Sequence, residues 1–201
     1  MPELEALLAS WFGSEALVGE ALDARMRIWF TADPAFDAEL RARFGPLVEQ
    51  AAAGALEGRA AGPRGRLALI LLLDQLPRNL HRGQARAFAT DPQALACALS
   101  GIEAGLDRAL SPIERTFFYL PMQHAEDLAM QERQLAAFRA LLLEATPELR
   151  PALESSVEFA LLHRDLIARF GRFPHRNRAL GRASTPDEEK FLSDGGSSFG
   201  Q

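Results

Sequence analysis

Residues 67–73 read Leu-Ala-Leu-Ile-Leu-Leu-Leu, an unbroken apolar run with no polar position on any face. The run is far too short to cross a bilayer. As a helix it is greasy all round, so other elements must wrap it, and the spacing predicts a rod at the centre of a bundle. Elsewhere apolar residues recur at helical intervals, and no run alternates apolar and polar residues in the way a sheet requires. The fold class expected is therefore all-α.

Four boundaries pair a capping residue with proline: Asp33-Pro34, Asp91-Pro92, Ser111-Pro112 and Thr185-Pro186. Ser111 with Glu114, and Thr185 with Glu188, have capping-box spacing. These signals predict helices over residues 3–12, 15–30, 34–53, 65–76, 92–107, 112–120, 121–145, 151–170 and 186–193. Residues 54–65 read as a connection, and residues 194–201 as a Gly/Ser-rich tail that is mobile unless Phe199 docks. Short connections favour antiparallel neighbours, which implies an irregular stack of helical hairpins around the central helix. No 34-residue self-similarity marks a regular array. With 201 residues and 48% hydrophobic content, one domain over residues 1–193 suffices.

The first residues are acidic where a signal peptide is basic, which points to the cytoplasm with no membrane association. A net charge of -5 argues against a general nucleic-acid binder. Cys97, the lone cysteine, falls within an apolar pattern and reads as a small buried hydrophobe.

Unusual polar residues concentrate in three places. In LDQLPRN (residues 73–79) Asp74 ends the apolar rod, with Arg78, Asn79 and Arg82 following the Pro77 break. A buried carboxylate there requires an Arg or His partner. In LPMQHAEDLAMQ (residues 120–131) His124, Asp127 and Gln131 fall on one helical face at i, i+3 and i+7. His124 and Asp127 can be an oriented base pair or two metal ligands, without the stronger two-His zinc signature, and no metal is assigned. The third place begins at His163, in line with Phe159, Ala160, Ile167 and Phe170, and runs into RFGRFPHRNRALGR (residues 169–182). Residues 161–182 hold six arginines against one acid, Asp165. Guanidinium forks there can grip a ligand's carboxylate or phosphate, or equally Asp74, Glu126 or Asp127 of the chain itself.

LDQLPRN, AFATD at residue 87, LPMQHAED at residue 120 and RFGRFPHRN at residue 169 together resemble the bacterial domain of unknown function 924 family. The likeness runs from Trp29-Phe30 and Phe36-Asp37 to the FLSDGGSSFGQ tail, with both Trp11-Phe12 and Trp29-Phe30 offering themselves as the family's WF pair. It implies a tetratricopeptide-like helical stack. It also points to Gln75, Asp91, Glu126, Gly171 and Pro174, and assigns no activity to any residue.

One functional expectation is a small-ligand site, with catalytic candidates His124, His163, Asp74 and Asp127 and a binding set of Arg78, Asn79, Arg172, His175, Arg176 and Asn177. Arg172 and Arg176 would anchor an anionic group, and His124 or His163 would be the base. A second is a protein- or peptide-interaction module in which the polar cluster is structural. A third is a metal-dependent hydrolase using His124, Asp127, His163 or His175. Nucleic-acid binding through Phe170 and Phe173 lacks a supporting motif, and no cofactor is indicated.

Overall fold

The elements α1 (Pro2–Phe12), α2 (Gly19–Phe30) and α3 (Pro34–Ala52) precede the central segment, which comprises α4 (Gly62–Ile70), a π-helical turn (Leu71–Gln75) and α5 (Leu76–Leu80). After it come α6 (Asp91–Glu103), α7 (Pro112–His124), α8 (Leu128–Leu143), α9 (Arg150–Phe170) and α10 (Pro186–Ser193). This computed structural model describes residues 1–13, 16–196 and 199, and among them there is no strand. The chain is all-α. No described helix is long and apolar enough to cross a membrane.

Local chemistry sets most helix starts. Asp33 accepts hydrogen bonds from the amides of Ala35 and Phe36 at 2.8 and 3.2 Å. The Ser111–Glu114 and Thr185–Glu188 capping boxes are both formed. Other boundaries depart from expectation. Residues 14 and 15, where the second helix was expected to begin, lie outside the described residues, and α2 starts at Gly19. Thr90, not Asp91, occupies the cap position of α6. Pro121 does not start a helix but lies inside α7, which continues to His124; the break falls at residues 125–127.

The central rod is as buried as its composition requires: residues 67–73 are each at most 4% exposed. Each large aliphatic side chain so buried is worth about 2 kcal/mol of transfer free energy. α4 packs against α1, α6 and α7, while the π turn packs against α3, α6 and α7. The turn widens next to Pro77. Proline has no N–H to donate to the Leu73 carbonyl, and the Thr90 hydroxyl donates to that carbonyl instead at 2.6 Å. The Leu76 amide reaches back to Leu71 O, five residues away. Such π turns are rare in helices and frequent at functional sites. This one carries Asp74 and Gln75.

Beyond the rod, α7, α8 and α9 pack successively, and α3 lies on α5. Trp11, Phe12, Trp29 and Phe117 form one aromatic cluster, with Trp11 and Trp29 stacked at 6.4 Å and Phe117 edge-on to Trp29 at 4.7 Å. Both Trp-Phe pairs therefore belong to a single assembly. The Trp29 indole N–H donates to Trp11 O at 3.0 Å, which ties α2 to the end of α1.

Candidate functional site

Between the end of α2, the π turn and α5, and the inner faces of α7 and α9 lies a cavity of about 610 Å³, within the range typical of small-molecule sites. Aromatic rings supply much of its wall: Trp29, Phe30, Phe117, Phe138, Phe159 and Phe199. The polar side is made by Gln75, Arg78, Asn79, Gln123, His124 and His163.

His124 ends α7 with its ring against this cavity, and its Nδ1 lies 2.7 Å from Oδ1 of Asp74. Asp74, with no exposed surface, sits behind it. Burial by itself would push the Asp74 carboxyl up. The charge of His124 while its ring is protonated, the charge of Arg78 and the hydrogen bonds from His124 and Gln75 outweigh that, so it stays ionised, well below the usual carboxylate range. Burial, and then the Arg78 charge, push His124 below its ordinary value despite Asp74. At neutral pH the pair is therefore a carboxylate and a neutral imidazole. A carboxylate only accepts, so Nδ1 carries the proton and Nε2 presents a lone pair.

The remaining buried charges balance. Arg78 donates to both oxygens of Asp91 at 2.9 and 3.0 Å and to the Asp74 carbonyl at 2.6 Å. Arg176 donates to Asp91 at 3.2 Å and to the His124 carbonyl at 3.1 Å, with its guanidinium between the rings of Phe88 and Phe173 at 4.7 and 4.5 Å. Burial and the neighbouring Arg78 lower Arg176 to about 10, which leaves it charged at neutral pH. Two carboxylates thus face two guanidinium groups.

On the α9 side, His163 Nδ1 lies 2.7 Å from Phe159 O, so this nitrogen must be the donor. Burial holds His163 near 3, and the ring is neutral with Nε2 as acceptor. Gln134 donates to Gln123 Oε1 at 2.9 Å, which turns the Gln123 amide nitrogen toward His163 Nε2, 3.5 Å away. Phe199 stacks on the other face of the site with its ring centroid 3.6 Å from that of His163, so this residue of the tail docks.

A family model for bacterial proteins of unknown function, DUF924, matches residues 7–196. The chain belongs to this family. It is similar to a solved structure from Agrobacterium tumefaciens, also of a protein of unknown function, with 38% identity, a TM-score of 0.80, and coverage of 95% of this chain and 97% of that one. No curated protein matches.

In this DUF924 protein Asp74, Arg78, Asn79, His124, His163 and Arg176 meet at or directly behind the cavity wall, and Asp127, Arg172, His175 and Asn177 do not. Asp127 is exposed and caps α8, accepting from the amides of Ala129 and Met130 at 2.8 and 3.2 Å. The helical stripe expected to join it to His124 does not exist, because the chain breaks between them. Arg172 grips Glu188 through Nε and Nη2 at 2.6 and 2.7 Å, and Asn177 donates to the same carboxylate at 3.2 Å. These residues hold α10 against the end of α9; an acid of the chain itself occupies the fork expected for a ligand. His175 packs beside Phe173 and Phe199, each at 5.6 Å, and burial lowers it to about 3. Arg176 acts from behind as a clamp. Arg27, Gln123 and Ser155, which also line the cavity, were not singled out in the sequence; only the polarity of Gln123 on an otherwise buried helix face distinguished any of them. Among the described residues no three of His, Cys, Asp and Glu are grouped to hold a metal ion.

Proposed function

We propose that the cavity is the binding site of a small organic molecule with an apolar body, and that His124 acts there as the proton acceptor. One observation carries this reading: His124 lines a cavity of about 610 Å³ while its Nδ1 is tied to a buried carboxylate. A histidine serving only to neutralise Asp74 would not require an open face, since Arg78 already lies 3.3 Å from the same carboxylate. An imidazole oriented by a carboxylate and presenting Nε2 is the arrangement used for general-base catalysis. Gln123, with Oε1 engaged by Gln134, offers an N–H nearby to an acceptor on the ligand.

The reading is tested by thermal-shift screening against carboxylated and phosphorylated metabolites, combined with imidazole ¹⁵N spectra. A true ligand raises Tm, moves the His124 Nε2 resonance, and loses its effect in His124→Gln. A screen in which no compound moves either readout counts against the site.

The second reading, a peptide-docking module, draws on the rim. Phe30 and Phe159 line the cavity yet are 55% and 50% exposed, and Leu162 continues the same face of α9 at 51%. It requires binding that survives His124→Gln but fails in a Phe30→Ala/Phe159→Ala double variant.

A further inference from the structure

The charges lining the cavity do not cancel at its surface. Three guanidinium groups contribute to the wall, Arg27, Arg78 and Arg82, and among the described residues no aspartate or glutamate does. Two of the three are already matched. Arg78 is held by Asp91 and Asp74, and Arg82 donates to Asp37 from Nε at 2.6 Å and from Nη2 at 3.0 Å. Arg27, in the last turn of α2, stands on the same wall, and no carboxylate of the described residues lies within ion-pair distance of it. It is exposed, so an anion can reach its guanidinium. Its neighbours Trp29 and Phe30 leave the rest of the ligand an apolar surface.

Resting on the reading of the cavity as a ligand site, we propose that Arg27 is its anion anchor and that the ligand is a singly charged acid, a carboxylate or phosphate diester, with an apolar, ring-sized body. Arg172 and Arg176, which the sequence suggested for this task, are committed to Glu188 and Asp91. The guanidinium fork of Arg27 accepts either oxyanion in bidentate fashion. The aromatic walls exclude a second charge, because no other unmatched guanidinium faces them to offset its desolvation.

The experiment uses matched probes: aryl and arylalkyl carboxylates, the corresponding methyl phosphate diesters, and the neutral primary amides of the same acids. Binding is read by titration calorimetry and by the His124 Nε2 resonance, on the full chain and on Arg27→Gln, Arg27→Lys and the surface control Arg139→Gln. The acids are expected to bind about ten-fold more tightly than their amides to the wild-type chain. Arg27→Gln abolishes that difference, Arg27→Lys keeps part of it, and Arg139→Gln leaves it intact. Comparison of the carboxylate and phosphate series names the head group. Equal binding of acid and amide, or an acid preference that survives Arg27→Gln, overturns the anchor while leaving the cavity as a ligand site. If neither acid nor amide binds at all, the cavity reading itself falls, and the anchor with it.

Discussion

The Nδ1 of His124 and the Oδ1 of Asp74 are 2.7 Å apart, although fifty residues separate them in the chain. The contact joins the end of α7 to the π turn of the central rod, and it places a charge where water cannot reach. If it is a buried charge-assisted pair, removing the charge must cost more than losing a surface hydrogen bond. Asp74→Asn is expected to lose about 3 kcal/mol in urea denaturation, because the buried guanidinium groups of Arg78 and Arg176 then share the charge of the partly exposed Asp91 alone as ion-pair partner. Asp127→Ala, which removes only an exposed helix cap, should cost about 1 kcal/mol. Equal losses in the two variants would mean that Asp74 is not the electrostatic centre described above.

Histidine burial fixes the direction of the pH dependence. His163 and His175 are held near 3, and His124 is also lowered, each chiefly by burial. The unfolded chain, with ordinary histidines near 6.5, therefore takes up protons before the folded chain does. The stability this represents is complete above about pH 6.5 and is lost as pH falls from there toward the folded values. Between pH 7 and pH 5.5 His163 and His175 each contribute about 1 kcal/mol of loss, about 2 kcal/mol together, and His124 and His81, also lowered chiefly by burial, add to it in the same direction. The shifted carboxylates titrate at lower pH and leave this window to the histidines. Unfolding free energies from urea melts across that range check it, and a flat profile would contradict the burial of the three rings.

Close packing on α6 gives a sharper steric test. A Cβ built on Gly101 would lie 2.6 Å from Cζ of Phe118 and 3.2 Å from Cγ of Arg66. Alanine is the better helix former by about 1 kcal/mol, yet Phe118 is fully buried and has no room to retreat. Gly101→Ala is expected to lose about 1–3 kcal/mol net, measured by thermal or urea unfolding. A stabilised variant would show that α6 and α7 can separate.

What the sequence disclosed was what local chemistry controls. The greasy rod at residues 67–73 and both capping boxes need only neighbouring residues to be understood, and all three are present. Pro121 misled because a proline inside a long helix and a proline at a helix start look alike until the next cap, at Asp127, is recognised. That misplacement created a false partnership between His124 and Asp127. The true partner, Asp74, was named as a buried acid needing a cation or imidazole, but which one depends on how α7 crosses the π turn. Arg172 found Glu188 sixteen residues away, a pairing with no periodic signature. Arg27 carried no signal at all, since what distinguishes it is the absence, among the described residues, of a carboxylate nearby in space.

The π turn offers the most direct test of why Asp74 stands where it does. Pro77 leaves the Leu73 carbonyl without its helical donor, and the Thr90 hydroxyl, 2.6 Å away, replaces it. Thr90→Val keeps the shape and removes the donor, so a buried carbonyl is left unsatisfied at a cost of about 1–3 kcal/mol. In Pro77→Ala the backbone N–H returns and can satisfy that carbonyl from within the helix. The two substitutions should therefore not add. In the double variant the Thr90→Val penalty is expected to shrink by at least about 1 kcal/mol, which a double-mutant cycle on urea-denaturation free energies resolves. Strict additivity would mean that the Thr90 hydroxyl does not stand in for the missing proline donor, and the π turn would then need another cause.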